Sequence, residues 1–226
     1  MVASLPLFPL STVLMPGAPL PLHVFEPRYR QLTVDLVTGA VPDKQFGVVA
    51  VREGWGADGD ADEAGGLHGV GCTAELLDAR RLPDGRVDIV TRGVRRFRVL
   101  RVAADSRPYL VGAVEYVPDE PAESPDELLP LAAAARAAHR RYCDTAWRSG
   151  EGSEPDDDVA PAELAHLLAA DGLLPLSDRQ RLLEQTSPAV RLRMVRALMI
   201  REAGLLRGLR AVPAPMHTFS VAQSAN

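Results

Sequence analysis

Residues 5–32 read LPLFPLSTVLMPGAPLPLHVFEPRYRQL, and the order of signals in this stretch sets the architecture of the first half of the chain. Two apolar runs, 5–10 and 20–25, flank Pro16-Gly17. That pair suits the centre of a type II turn, because proline presets the first φ and glycine accepts the positive second one. Leu20, Leu22 and Val24 alternate as one inward face. At Pro27 the pattern changes. Glu26 stands at a cap position, Pro27 fits a first helical turn and Gly39 closes the far end, so one short helix is expected over 27–38.

Further along, runs rich in Val, Leu and Phe at 46–52, 70–77, 86–91, 94–102 and 109–117 are punctuated by Pro and Gly. They read as antiparallel strands, with Asp84-Gly85 as a hairpin signal between two of them. The segment Gly56 to Gly66 carries four carboxylates and only small apolar residues, and it reads as a solvated loop. Asp58, Asp60 and Asp62 open like a calcium loop, but the glycine and closing glutamate such a loop requires are misplaced.

Near Pro118 the apolar period lengthens from two to between three and four. Ser124-Pro125-x-Glu127 is a capping-box pattern, after which Leu128, Leu131, Ala135, Ala138 and Tyr142 mark a helix that Pro130 should delay or kink. A second helix is expected from Pro161 to Asp171, a third from a Ser177-x-x-Gln180 cap to Gln185, and a fourth opened by Ser187-Pro188. The stripe of the fourth is read as Val190, Met194, Ala197, Leu198, Arg201 and Leu205. The expected organisation is a β subdomain over 1–118, a helical bundle over 119–210 and an unstructured tail over 211–226, with Met216, Phe219 and Val221 as the apolar residues of that tail. The fold class is α+β.

Composition narrows the chemistry. Of the 25 basic residues in 226, 24 are Arg and one is Lys44, and the net charge is -5. A phosphate-binding loop needs Gly-Lys-Ser/Thr, whereas Lys44 follows Asp43. No Gly-x-Ser-x-Gly elbow is present. Mild acidity and eleven aromatic residues (five Phe, four Tyr, two Trp) argue against a general nucleic-acid binder. No apolar run reaches the roughly 18 to 20 residues of a membrane span. The first residues lack a secretory pattern, and two cysteines in so long a chain fit a reducing compartment, so the cytoplasm is expected.

Two constellations stand out. His68-x-x-x-Cys72 and His139-x-x-x-Cys143 use both cysteines and contain the types of a Cys2His2 site. The second pair shares a helical face, but the first lies on a strand, where positions four apart are about 13 Å distant. The reading is therefore no metal site and no cofactor. Arg95, Arg96, Arg98 and Arg101 crowd around Phe97. Strand alternation places Arg95 and Arg101 on one side and Arg96 and Arg98 on the other, so they form no single phosphate-binding face.

The opening stretch closely resembles the start of the substrate-binding amino-terminal domain of the ATP-dependent protease Lon, whose pattern runs LPLFPL, a Pro-Gly turn, then PLHIFEPRYR. The match extends in order through Phe46-Gly-Val-Val, Val70-Gly-Cys-Thr-Ala with Asp84-Gly-Arg, Gly93-Val-Arg-Arg-Phe-Arg-Val and Pro108-Tyr109-Leu110. The resemblance implies a PUA-like antiparallel β pseudo-barrel with one short helix, followed by a C-terminal helical bundle, covering residues 4 to 210. It also implies a stand-alone member without the ATPase and Ser-Lys peptidase modules: not an enzyme, but a module that binds unfolded or partner polypeptides and works with a protease or chaperone. Pro21, His23, Phe25, Glu26, Pro27, Arg28, Tyr29 and Arg30 form the family motif and are read mainly as fold-making, with Glu26 pairing to Arg28 or Arg30. Met15, Leu20 and Trp55 are the candidate client-binding residues, since Met adapts to varied partners and Trp anchors interfaces. The alternative function is RNA binding through Arg95, Arg96, Arg98 and Arg101.

Overall fold

A computed structural model describes residues 2–52, 64–103, 107–121, 124–146 and 154–209. Six strands come first: β1 (Val2–Leu10), β2 (Pro19–Val24), β3 (Gln45–Ala50), β4 (Val70–Arg81), β5 (Val87–Ala103) and β6 (Val111–Tyr116), with helix α1 (Pro27–Thr38) between β2 and β3. Helices α2 (Pro125–Ala146), α3 (Pro161–Asp171), α4 (Leu176–Glu184) and α5 (Pro188–Leu209) follow. Trp55, the acidic segment from Gly56 to Glu63 and the tail from Ala211 to Asn226 lie outside the described residues.

The sheet runs β2-β5-β4-β3-β1-β6, and a further β5–β6 pairing closes it. Strand β5 makes the closure possible through its length. Residues 87–92 pair with β2 and residues 97–103 pair with β6, while β4 lies along the other edge. The result is a pseudo-barrel with β2 appended as an edge strand, the position where its prolines are tolerated. One pair departs from the expected antiparallel pattern, because β1 lies parallel to β3. The connection between them passes through β2 and α1, the long crossover that parallel strands require.

Local sequence explains most of the turns. Ala18 N donates to Met15 O (3.1 Å) across Pro16-Gly17, and Gly17 has φ 78°. After Pro83-Asp84, Gly85 takes φ 83° and its N–H reaches Leu82 O at 3.0 Å, the arrangement of a three-residue hairpin loop with a glycine bulge. The runs 86–91 and 94–102 are one strand. Gly93 does not end it; its N–H donates to Ala18 O (2.9 Å) and its carbonyl accepts from Gly17 N (2.8 Å). A side chain there would meet the Met15 carbonyl oxygen at 2.1 Å, so glycine admits the turn against the strand.

Inside the barrel, Leu5, Leu7, Phe97 and Val114 form a small buried cluster. A larger one covers the outer face and continues from Phe8, Tyr29, Leu32 and Phe46 into Ala135, Tyr142, Leu168, Leu192 and Met199 of the helices. The expected face of α2 is confirmed at Leu128, Ala135, Ala138 and Tyr142, all buried, and the helix begins at Pro125 without waiting for Pro130. Helix α4 starts at Leu176 with Pro175 at the cap position and no side-chain cap, so Ser177 does not serve as one. Helix α5 is rotated from its expected register. Leu192, Val195, Met199 and Ala203 face inward, whereas Val190, Ala197, Arg201 and Leu205 are exposed. Arg191, fully buried, interrupts the apolar stripe and hides this phase from a reading that keeps charge outside.

Candidate substrate-binding surface

The outer face of the edge formed by β2, β5 and β4 is apolar at its centre. Pro21 lies opposite Val90, and Val90 lies opposite Asp78 beside a bulge that turns Leu77 outward. Pro21 is exposed, Val90 is 43% exposed and Leu77 is 49% exposed. One end of this strip is polar: His23 Nδ1 lies 2.7 Å from Asp88 Oδ1, and Arg80 donates to Asp88 Oδ2 at 2.8 Å. Arg80, then His23, hold the Asp88 carboxyl below its usual range. Towards the other end, Pro19 reaches a cleft of about 290 Å³ between barrel and bundle, lined also by Ala18, Pro155, Leu167, Ala170 and Asp171.

The family motif is mostly structural. Tyr29 is buried and stacks on Phe8 with ring centroids 3.9 Å apart. Arg28, not Arg30, pairs with Glu26 (2.9 Å), and Glu26 makes no side-chain cap bond to α1. Arg30 donates to Gly85 O (3.3 Å), tying α1 to the β4–β5 hairpin. Pro27 opens α1, while Phe25 is 62% exposed.

The expected client-binding residues fare unevenly. Met15 is 1% exposed and belongs to the core, so it offers a client no surface; apolar character alone did not distinguish a core position from a site. Leu20 is half-buried against that core and its carbonyl accepts from Thr91 Oγ1 at 2.7 Å. The neighbouring Pro21 faces out instead.

The arginines separate as well. Arg96 is 3% exposed and cannot meet RNA. Its guanidinium donates to Leu183 O (3.0 Å), Gln185 O (2.7 Å), Pro118 O (3.2 Å) and Asp119 Oδ1 (2.5 Å). Arg191 joins it, donating to Asp119, Gln185 O and Ala162 O. Two cations thus share one carboxylate, and the carbonyls at the C-terminal end of α4 supply further negative potential. Burial lowers the Arg96 pKa, and burial, then Arg191 and Arg96, hold His166 well below its ordinary value. This junction fastens bundle to barrel, and sequence reading missed Asp119 and Arg191 within it. Arg95 is exposed, its guanidinium 3.6 Å over the Tyr116 ring; Arg98 and Arg101 are also exposed.

Of the two His/Cys pairs, one persists. Cys143 Sγ lies 3.6 Å from His139 Nε2, and Asp171 Oδ2 lies 2.8 Å from the same nitrogen. Among the described residues, His68 and Cys72 join no such group. Cys72 is buried in β4, and burial pushes its thiol up to about 12. The Cys143 thiol is likewise pushed up to about 12, by burial and then by Asp171, which makes it a poor nucleophile.

The family model of the ATP-dependent protease La (LON) substrate-binding domain matches residues 4–201. The chain belongs to this family. Lon protease of Anaeromyxobacter dehalogenans is 30% identical over 209 residues, 91% of this chain and 24% of that protein. Lon protease 2 of Myxococcus xanthus is 28% identical over 90% of this chain and 24% of its own length. The chain therefore spans about a quarter of these Lon relatives. A crystal structure of a Lon N-terminal domain protein from Xanthomonas campestris superposes with TM-score 0.60 at 28% identity, covering 86% of this chain and 98% of that one. The N-terminal domain of the Mycobacterium avium complex Lon protease shows the same fold, with TM-score 0.64 at 22% identity over 87% of this chain and 98% of its own. Among the described residues no helix is long and apolar enough to cross a membrane.

Proposed function

We propose that the chain is a non-catalytic cytoplasmic module that holds exposed apolar segments of unfolded or partner polypeptides, working with a Lon-type protease or a chaperone. The observation that carries this reading is the apolar strip Pro21, Val90 and Leu77, set on a rigid sheet near the Pro19–Leu167 cleft. Membership of a substrate-binding family supports it. An extended client would lay its apolar side chains on the strip, and its affinity would come from area removed from water. The burial of Arg96 and its separation from Arg95 weaken the RNA reading.

The test is a titration of a permanently unfolded polypeptide and a structured RNA at low and high salt, with wild-type protein and a Leu77→Asp/Val90→Asp variant. Polypeptide binding that resists salt, and that weakens at least tenfold in the variant while its unfolding midpoint holds, is the expected result. Equal affinity of the variant removes this surface from the proposal. Binding to RNA alone, falling steeply with salt, replaces the proposal with a role for Arg95, Arg98 and Arg101.

A further inference from the structure

His139, Cys143 and Asp171 meet where α2 packs against the C-terminal end of α3. His139 and Cys143 are one helical turn apart, and His139 is 1% exposed. The three ligand atoms converge on a point: Asp171 Oδ2 is 2.8 Å and Cys143 Sγ 3.6 Å from His139 Nε2, and Sγ is 3.7 Å from Oδ2. A nucleophile-and-base relay would place thiol and carboxylate on opposite ring nitrogens. Here the carboxylate sits on Nε2, while Sγ lies 3.6 Å from Nε2 and 3.8 Å from Nδ1, so the thiol does not stand across the ring from the carboxylate as a relay requires.

We infer that these three residues form a zinc site of this chain, with three protein ligands and a fourth position left to water. The donor set of imidazole, thiolate and carboxylate is that of a borderline-soft divalent ion. Bond lengths of about 2.0 to 2.3 Å would set tetrahedral ligand atoms about 3.3 to 3.6 Å apart. Both sulfur distances already lie close to this range; the His139–Asp171 contact needs to open by about 0.5 Å, and the imidazole must turn to aim Nε2 between the other two ligands, because Sγ is almost equidistant from both ring nitrogens. Coordination releases the Cys143 proton to solvent and leaves the imidazole proton on Nδ1. The site would pin α2 to α3, and Asp171 also lines the cleft beside Pro19. Metal binding here is independent of client binding.

The test uses the metal-stripped full chain and Co²⁺ or Zn²⁺ alone. Expected are one Co²⁺ per chain with a thiolate-to-metal charge-transfer band, its displacement by one equivalent of Zn²⁺, and the same band in Cys72→Ser. Cys143→Ser should lose the band while keeping the wild-type circular dichroism. Asp171→Asn, which removes no core volume, should weaken Zn²⁺ binding at least tenfold. A folded wild-type chain without the band, a band that survives in Cys143→Ser, or unchanged Zn²⁺ affinity in Asp171→Asn overturns the site.

Discussion

Arg191 donates two hydrogen bonds into the carboxylate of Asp119, at 2.9 and 2.7 Å, across 72 positions of sequence. Arg96 bonds the same carboxylate from the barrel, so one aspartate holds two buried cations. Asp119→Ala should cost about 3 kcal/mol, the lower end for a broken buried pair, because the carboxylate itself is one-third exposed. Urea denaturation measures this. In the Asp119→Ala background, Arg191→Met should cost less than it does alone, because the cation it removes has already lost its counter-charge.

Gly93 carries a second prediction. A Cβ there would meet Met15 O at 2.1 Å, a backbone atom that cannot swing aside. Gly93→Ala should therefore destabilise the chain by about 3 kcal/mol, at the upper end of overpacking costs. Gly204→Ala, where nothing lies within 4 Å of the added atom, should be neutral or stabilising. Thermal unfolding of the two variants separates a steric effect from a general effect of losing glycine.

His166 makes stability depend on pH. Burial, then Arg191 and Arg96, keep the folded imidazole neutral, while in the unfolded chain it takes up a proton below about pH 6.5. The unfolded state then binds the extra proton, so stability falls as the solution is acidified through that value. Between pH 7 and 5.5 the loss from this residue is on the order of 1 kcal/mol. Replacing the imidazole in His166→Leu should remove that increment from a pair of denaturation curves; equal losses in both proteins would contradict it.

Much of the fold was legible because its signals are local. Pro27 and Gly39 bracket α1, and Pro16-Gly17 makes its turn through backbone preferences that need no partner. The parallel β1–β3 pair, the continuity of β5 through Gly93 and the phase of α5 were not legible, because each depends on residues distant in sequence. Strand alternation puts Arg96 and Phe97 on opposite sides, but it does not show that both sides are covered: the two are adjacent and both buried. Phe97 fills the barrel interior while Arg96 sits beneath the end of α4, so the strand is covered on both sides. For the candidate surface, Leu77 turns outward only because of a bulge in the β4–β5 pairing, which no period-two reading reveals.

The placement of β1 also bears on how the chain is made. Of the six strands it is the first to be made, yet it lies in the interior of the sheet, between β3 and β6. Its second neighbour ends only at Tyr116, so the growing chain carries β1 with one edge open until the last strand of the ring emerges. Closure then pairs residues 2–6 with 111–115, contacts so distant in sequence that the loop entropy they cost slows folding.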